Sequence, residues 1–451
     1  VLVEGVEGLK PPAGGDIHLT LDTAIQHLAE KELEASVDKY RAKAGVAIAV
    51  EPRTGEILAL ANYPTFNPNN YSAASPEQRR NRAVTDSFEP GSTFKTILAA
   101  AALEEGIVDQ EDLFFCEYGK FSYAGRIIHD THPHGWLTFS KILQVSSNIG
   151  FSKVADKLKK DRFFKYIEKF GFGQPTGIDM PGEAPGLLRR PETWSGIDLA
   201  THAFGQGLSA TPLQMVMAYA AIANGGFLMR PYVVRRALSP KGEVLVENQP
   251  HVVRRVISER TARLLASMLQ DVTTEGGTGM MANVEGFKVA GKTGTAQKVD
   301  LVNGGYDAKK RVASFVGFVP ADEPRLVLMV LVDEPQTNVY GGVVAAPAFQ
   351  NIARGALRHF GIAAKTAQPI AAPVAEADIP LRRVPKRTSE PTADSGATPD
   401  FVGLSLREAV EKARDLRLKV KIHGNGYVVK QSPGPGGRWD ENGMLVLNLQ
   451  G

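Results

Sequence analysis

The sequence lacks several features that other proteins use for covalent stabilisation or for attachment to a membrane. Its 451 residues contain one cysteine, Cys116, which excludes an intrachain disulfide and is expected to be buried as a small apolar residue. No apolar run reaches the roughly 18 residues that a membrane-spanning helix needs, so no segment is expected to span a bilayer. The 52 basic and 49 acidic residues leave a net charge of only +3, and this balance argues against a nucleic-acid surface.

Histidine is also scarce, with nine residues in the chain. Three of them, His129, His132 and His134, lie close together beside Asp130. Their string contains proline and glycine and lacks the helical or knuckle spacing of a zinc site. It therefore predicts a loop on the substrate side of a site, and no metal ion or other cofactor is expected.

Three short strings stand out among what the sequence does contain. Ser92–Lys95, Ser146–Asn148 and Lys292–Thr295 occur once each and in this order. Together they supply a nucleophile, two candidate proton carriers and an anion site. The length predicts two or three domains, and a hydrophobic content of 43% is ample for a sizeable core.

The first string predicts an activated serine. Ser92 follows a Glu-Pro-Gly turn and precedes a run of strong helix formers, so it is expected in the first turn of a helix. The positive field of a helix N-terminus favours a developing alkoxide there. A spacing of three residues puts Lys95 on the same face, where a desolvated lysine could accept the serine proton. Taken alone, the string also fits an ordinary amphipathic helix with a solvated lysine.

The second string places polar residues inside an apolar, helix-like stretch. Buried hydroxyl and amide groups need partners, so Ser146 and Asn148 are expected to face a cleft that holds the serine and lysine. The alternative is a simple helix-to-helix turn, for which Ser-Ser-Asn is suitable chemistry.

The third string predicts a short strand. Alternation points Thr293 and Thr295 to the same side, where two hydroxyls could hold a carboxylate. Gly294 between them is typical of a strand that a ligand approaches closely. Alternation sends Lys292 to the other side, so its stem would have to curl around the strand edge. The alternative is a hairpin edge strand whose lysine guards against aggregation.

The ordered set of three strings is the signature of penicillin-binding proteins and serine β-lactamases, with Ser146–Asn148 standing where class A β-lactamases carry Ser-Asp-Asn. The chain resembles the class B penicillin-binding proteins, which are monofunctional D,D-transpeptidases. The stretch Ala203–Gln214 also resembles this family, specifically its FtsI-like septal and sporulation branches, and is interpreted as structural framing.

The resemblance implies a role for each residue of the strings. Ser92 would be the nucleophile, helped by Lys95, and Ser146 would relay a proton to the leaving group. Lys292 would neutralise the substrate carboxylate. The backbone N–H groups of Ser92 and Thr295 would form the oxyanion hole. The implied substrate-binding residues are Asn148, Thr293, Gly294 and Thr295.

The order of predicted elements indicates an α/β fold of the α+β type. Strands are expected at 46–50 and 57–60 and again at 314–319 and 326–332, with a helical block between the two pairs. This order predicts an antiparallel sheet flanked by helices and split by an inserted helical subdomain. The resemblance implies the transpeptidase fold. A helix over 23–43 is expected after Asp22, and a closing helix over 349–360.

Composition divides the chain further. Residues 1–15 are interpreted as the remnant of a non-catalytic pedestal, residues 16–360 as the transpeptidase domain and residues 361–398 as a proline-rich linker. Residues 399–451 predict a helix followed by three strands, an order that resembles one PASTA module. Such modules are associated with muropeptide binding and protein contacts, and the alternative is a folded spacer.

The predicted function is a peptidoglycan D,D-transpeptidase that cross-links stem peptides ending in D-Ala-D-Ala through a Ser92 acyl-enzyme and is inhibited by β-lactams. A D,D-carboxypeptidase or a β-lactamase on the same fold, or a non-catalytic cell-wall sensor, are the alternatives. The sequence lacks the Glu-x-x-Leu-Asn string of class A β-lactamases, and Asn148 stands where class D enzymes usually have valine.

The resemblance also implies surroundings and partners. An extracytoplasmic location is expected, periplasmic or on the outer face of the cytoplasmic membrane, with a membrane anchor in an N-terminal part that precedes Val1. Expected partners are peptidoglycan stem peptides, a membrane glycosyltransferase such as FtsW, and divisome proteins. Nucleic acid is not expected among them.

Overall fold

A computed structural model describes residues 14–300, 304–364, 398–416, 418–424, 427–438 and 444–450. The chain divides into two compact units, one before and one after residue 370. Most of the predicted proline-rich linker and of the N-terminal remnant lies outside the described residues. No described helix combines the length and apolar character needed to cross a membrane.

The strands of the first unit are β1 (Asp16–Leu19), β2 (Ala44–Val50), β3 (Ile57–Tyr63), β4 (Leu113–Phe115), β5 (Lys120–Tyr123), β6 (Arg126–His129), β7 (Trp136–Thr138), β8 (Phe227–Met229), β9 (Val234–Leu238), β10 (Val244–Glu247), β11 (Val252–Arg255), β12 (Ala290–Val299), β13 (Tyr306–Val319) and β14 (Leu326–Asp333).

Its helices are α1 (Thr23–Lys39), α2 (Pro76–Arg79), α3 (Arg82–Thr85), α4 (Lys95–Glu104), α5 (Phe139–Gln144), α6 (Asn148–Leu158), α7 (Lys160–Lys169), α8 (Asp198–Ala203), α9 (Pro212–Ala223), α10 (Glu259–Asp271), α11 (Gly341–Val344) and α12 (Ala346–His359).

The central sheet has five strands in the order β12-β13-β14-β2-β3, and every neighbouring pair is antiparallel. The early strands β2 and β3 thus pair with the late strands, as their positions in the sequence predicted. The segment between them contains the helices α2 to α10 and also carries small sheets formed by β4–β11 together with β1. The predicted split antiparallel sheet is confirmed.

Strand β2 shows how the sheet is held between two helical layers. Val46, Ile48 and Val50 face a core that includes α4, α9 and α10, whereas Ala47 and Ala49 face a second core built with α1 and α12. All five side chains are buried, because the strand is covered on both faces. The sheet therefore serves as a rigid base, and β12 lies at its edge.

Helix α1 begins as predicted and ends early. Asp22 caps it by accepting hydrogen bonds from the backbone N–H groups of Ala24 and Ile25. The helix ends at Lys39 rather than at residue 43, since Arg41 has a left-handed φ of 49°.

The second unit is small and has its own core. Helix α13 (Leu406–Asp415) begins with a capping box between Ser405 and Glu408. It is followed by β15 (Val420–His423), β16 (Tyr427–Ser432) and β17 (Leu445–Gln450), which form a sheet in the order β15-β17-β16. The predicted helix-then-three-strands order is confirmed.

Candidate active site

Ser92 lies in a short turn that feeds directly into a helix. Gly91–Phe94 forms a 3₁₀ turn, and the α-helical geometry of α4 starts at Lys95. Gly91 has a left-handed φ of 56°, and its N–H donates to the carbonyl of Gly205 at 3.0 Å. Ser92 is partly exposed, and its hydroxyl makes no hydrogen bond with a described residue. The hydroxyl is therefore open to an incoming ligand.

Lys95 is the buried centre of the site. Its Nζ donates to the Ser146 carbonyl at 2.6 Å, to Ser146 Oγ at 3.1 Å and to Asn148 Oδ1 at 2.7 Å. The side chain is fully buried, and burial lowers its pKa to about 7, while the nearby charge of Asp130 opposes that change. Burial thus favours the neutral amine of Lys95, which is able to accept a proton.

The Ser-Ser-Asn turn has a strained backbone. Ser146 has a φ of 64°, a conformation that few residues other than glycine adopt and that costs about 1–3 kcal/mol when the surroundings impose it. Ser147 caps helix α6 by accepting from the N–H of Gly150 at 2.9 Å. The strain is held in place by these contacts, and it turns Ser146 and Asn148 towards Lys95.

Lys292 reaches the same centre from the sheet. It is fully buried, and its Nζ lies 3.4 Å from Thr293 Oγ1 and 3.3 Å from the Thr293 carbonyl. Burial first and the neighbouring Lys95 ammonium second hold the pKa of Lys292 well below its ordinary value. A ligand anion beside it would favour the charged form. Strand alternation points the Lys292 side chain away from that of Thr293. The Lys292 stem bends back, so that its amine lies beside Thr293.

The two threonine hydroxyls of β12 already have protein partners. Thr293 Oγ1 shares a 2.7 Å hydrogen bond with Thr278 Oγ1, and Thr295 Oγ1 accepts from the N–H of Gly341 at 3.1 Å. Because Thr295 Oγ1 accepts in that bond, its own proton remains available for a ligand.

Gly294 is required for contact between the strand and the nucleophile turn. A Cβ there would lie 2.4 Å from Ser314 Oγ, 3.0 Å from Thr93 Cγ2 and 3.2 Å from the Pro90 carbonyl. Gly294 was predicted to allow the close approach of a ligand. In the structure it allows the close approach of the protein's own nucleophile turn. Through this contact, the third string lies against the first.

The structure therefore brings the predicted residues of all three strings together. Sequence reasoning missed Asp130 as part of this site, because it was grouped with the histidines. Its carboxylate accepts from the backbone N–H groups of Asn148 at 2.5 Å and Ile149 at 3.1 Å, and from Ser147 Oγ at 2.5 Å. Within the described ranges, no three His, Cys, Asp or Glu side chains converge as metal ligands would.

The stretch interpreted as framing lies against the nucleophile segment. The N–H of Gly207 donates to Glu89 Oε1 at 2.9 Å, and Tyr306 Oη lies 3.3 Å from the same oxygen. Phe88 and Ala210 exchange two backbone hydrogen bonds of 3.0 Å. The turn that carries the serine is fixed from both sides by these bonds.

Comparison with known proteins agrees with this geometry. Residues 45–354 match the family model of the penicillin-binding protein transpeptidase domain, and residues 397–449 match that of the PASTA domain. Stage V sporulation protein D of Bacillus subtilis is 38% identical over 446 residues, covering 97% of this chain and 66% of that protein.

A second relative is a probable peptidoglycan D,D-transpeptidase, PenA of Neisseria gonorrhoeae, 41% identical over 353 residues. That match covers 78% of this chain and 58% of the relative. The chain therefore spans about six tenths of the length of these two curated relatives.

Solved structures give the same result. The transpeptidase domain of Burkholderia pseudomallei penicillin-binding protein 3 superposes with a TM-score of 0.68 at 37% identity, covering 77% of this chain and 97% of that one. Penicillin-binding protein 3 of Mycobacterium tuberculosis in complex with ampicillin gives 0.75 at 34% identity, covering 81% and 83%. Since one family model matches more than half of its residues, the chain belongs to the penicillin-binding protein transpeptidase family and carries a PASTA domain near its C-terminal end.

Proposed function

We propose that the chain is the catalytic part of a peptidoglycan D,D-transpeptidase that works through an acyl-enzyme on Ser92. The observation that carries this proposal is the buried Lys95, whose pKa is about 7 and whose amine is held against Ser146 and Asn148, three positions along the chain from the partly exposed Ser92. A lysine in that state is a general base at neutral pH.

In the acylation step, Ser92 Oγ attacks the carbonyl carbon of the penultimate D-alanine of a stem peptide. Neutral Lys95 accepts the hydroxyl proton, and the negative charge on the carbonyl oxygen is met by the N–H groups of Ser92 and Thr295. Ser146 Oγ, 3.1 Å from Lys95 Nζ, passes its proton to the departing D-alanine nitrogen as the peptide bond breaks, and the Lys95 ammonium replaces that proton with the one taken from Ser92. Ser92 becomes an ester, Lys95 is neutral again, and D-alanine leaves with a free amine.

Lys292 and the threonines are proposed to bind the carboxylate of the terminal D-alanine. The buried amine lacks an anionic partner among the described residues, and an arriving carboxylate would supply one. The Thr295 hydroxyl would donate its unused proton to the same carboxylate. Gly294 keeps the strand close to the serine turn, and Asn148 would orient the acyl side chain.

In the second step, an amine from another stem peptide attacks the ester carbon, forms the cross-link and returns the proton to the serine oxygen. A D,D-carboxypeptidase or β-lactamase would transfer the acyl group to water instead. The names of relatives support the transpeptidase, since several are called peptidoglycan D,D-transpeptidases. β-Lactams would acylate Ser92 as substrate mimics, and a structural relative holds ampicillin.

The proposal extends to organisation and surroundings. Residues 16–360 form the transpeptidase domain and residues 399–451 the PASTA module, which is either a cell-wall-binding module or a folded spacer. The protein acts outside the cytoplasm and is held by an anchor in a longer form of the chain. A membrane glycosyltransferase such as FtsW and divisome proteins are its proposed partners.

Intact-mass analysis after incubation with benzylpenicillin tests the chemistry. We expect one adduct, absent from Ser92→Ala and present in Ser87→Ala, a matched control because Ser87 is an exposed serine five residues upstream. An adduct that persists in Ser92→Ala would overturn the assignment.

A second assay separates transpeptidation from hydrolysis. A stem-peptide donor is offered with and without an acceptor amine, and the products are separated by mass. We expect the acceptor to carry the acyl group, and the penicilloyl adduct to persist for many minutes. Rapid multiple-turnover hydrolysis of nitrocefin would favour a β-lactamase, and no turnover of either substrate would favour a non-catalytic sensor.

A further inference from the structure

Asp130 lies at the end of β6, outside the three strings, and links that strand to helix α6. Its backbone N–H donates to the Gly119 carbonyl at 3.2 Å, which fixes the end of the strand. The side chain then extends to the Ser-Ser-Asn turn, 17 to 19 residues further along the chain.

Both carboxylate oxygens of Asp130 are engaged at that turn. Oδ1 accepts from the N–H of Asn148 at 2.5 Å and of Ile149 at 3.1 Å, and Oδ2 accepts the hydroxyl proton of Ser147 at 2.5 Å. These bonds are charge-assisted, and they lie in the positive field at the start of α6. Three consecutive residues are thus fixed immediately after Ser146, whose φ of 64° needs an imposed backbone.

The same carboxylate is the anion that acts on Lys95. Asp130 from the β6 side and Lys292 from β12 are the charged groups whose interaction with Lys95 is resolved, whereas Ser146 and Asn148 contribute neutral atoms. The aromatic ring of Phe151 lies 5.6 Å from the Lys95 amine.

Two other titratable side chains lie near the same turn. The Cys116 thiol lies 3.4 Å from Ser147 Oγ, and burial first and the charge of Asp130 as well raise its pKa, which Lys153 opposes. Lys153 is paired with Glu117 at 2.6 Å.

We propose that Asp130 is a positioning residue of this active site, which holds the Ser146–Asn148 turn in its strained form and brings a negative charge to Asn148, the residue that contacts the Lys95 amine. The inference rests on the proposed function, since it assigns Asp130 to the proton path of that reaction. It acts through Lys95, Ser146 and Asn148 and touches no substrate.

The test compares three variants of the full chain by their rate of acylation with a fluorescent penicillin between pH 5.5 and 9.5. Asp130→Asn keeps the shape and one accepting oxygen but removes the charge. Asp130→Ala removes both. Asp156→Asn is the matched control, because Asp156 is an aspartate of α6 that likewise joins this helix to the β5–β6 hairpin, by accepting from the Tyr123 hydroxyl at 2.6 Å, and it is not among the charges that act on Lys95.

In the wild type, the rate should rise with pH through about 7, the pKa of Lys95. Loss of the Asp130 charge lowers that pKa further, so in Asp130→Asn and Asp130→Ala the rise should move to lower pH by at least about half a unit. The plateau rate of Asp130→Ala should also fall by about tenfold or more, because the turn is no longer held, and Asp130→Asn should recover part of it. Asp156→Asn should match the wild type.

The two proposals fail in different ways. A wild type that is not acylated at Ser92 would refute the proposed function, and the inference with it. A wild type that is acylated, with an Asp130→Asn profile that does not move, would refute the inference alone. A plateau loss without a shift, in variants whose melting temperature matches the wild type, would also refute it, since Asp130 would then be only a structural cap.

Discussion

Two lysines of the first unit, Lys95 and Lys298, show how the partners of a buried amine decide its charge. Both lose hydration on folding, which by itself lowers the pKa of each. Lys298 donates to Asp333 at 2.8 Å and 3.0 Å and to Glu334 at 2.7 Å, and these anions raise its pKa above the ordinary value.

Among the described residues, Lys95 donates hydrogen bonds to neutral atoms only, and its pKa falls to about 7. Carbonyl, hydroxyl and amide oxygens satisfy its donors without holding its charge. The contrast shows that satisfying a lysine's hydrogen bonds is different from neutralising it. An active site that uses lysine as a base must satisfy the hydrogen bonds of the amine without pairing it with an anion.

The largest predicted effect separates the two lysines by function. Lys95→Ala should slow penicillin acylation by about a hundredfold or more, because the general base is lost. Lys298→Ala should leave the acylation rate within about twofold of the wild type, since its salt bridges go to Asp333 and Glu334 and to no residue of the three strings. Stopped-flow fluorescence with a labelled penicillin measures both. Equal losses in the two variants would contradict the comparison.

The second prediction concerns a variant that gives Lys95 an anionic partner, as Lys298 has. Asn148→Asp places a carboxylate where Asn148 Oδ1 now lies, 2.7 Å from the Lys95 amine. The anion should raise the pKa of Lys95 by about one unit or more, so that the amine stays protonated at pH 7. Acylation at pH 7 should then fall by about tenfold and recover towards pH 9. A loss that is the same at every pH would instead indicate a damaged turn, with Asn148→Ala as the control for lost hydrogen bonding.

The third prediction concerns stability and involves Lys298 alone. Lys298→Met should reduce the free energy of unfolding at pH 7 by about 1 kcal/mol, a modest value because the amine is partly exposed. Burial raises the pKa of Glu334, but its bond to Lys298 outweighs this and lowers it. The carboxylate's contribution is therefore lost as the pH falls through that lowered pKa, and the lysine's is lost as the pH rises through its raised pKa.

Denaturant unfolding at pH 7 and at about pH 2.5 checks this prediction. The difference between wild type and Lys298→Met should shrink at the lower pH, where the carboxylates take up protons. A difference that is constant with pH would mean that the salt bridges of Lys298 are not the source of the lost stability.

Some features of the fold and of the site could be predicted because they follow from local patterns in the sequence. Strand β2 and its partners follow from alternation and apolar runs, which are local patterns. The Ser92 and Lys95 pair follows from a spacing of three. These features need only neighbours in the chain to be recognised.

The remaining features depend on contacts between distant residues. Asp130 meets the Ser-Ser-Asn turn across 17 to 19 positions, and Gly341 meets Thr295 across 46. The early end of α1 depends on the left-handed backbone of Arg41. Arginine as a residue type does not predict that conformation. Local spacing predicted which groups the structure brings together around Lys95, and it did not predict what holds them there.

The smallest predicted effect concerns the two units. Removing residues 365–451 should leave the rate of acylation at Ser92 within about twofold of the full chain. All three strings lie before residue 296, and the two cores that enclose the central sheet are built from residues up to Ile362. The core of the second unit draws only on residues between Phe401 and Leu449, so neither core loses a buried side chain.

The same truncation should lower any binding to purified peptidoglycan, which a pull-down assay would measure beside the acylation rate. Melting temperature and circular dichroism of the truncated protein serve as the control for folding. Because apolar burial is the main stabilising force, a unit that keeps its whole core should keep its active-site geometry. A truncated protein that folds yet acylates tenfold more slowly would show that the second unit supports the serine turn. The active site would then depend on the second unit although the two units have separate cores.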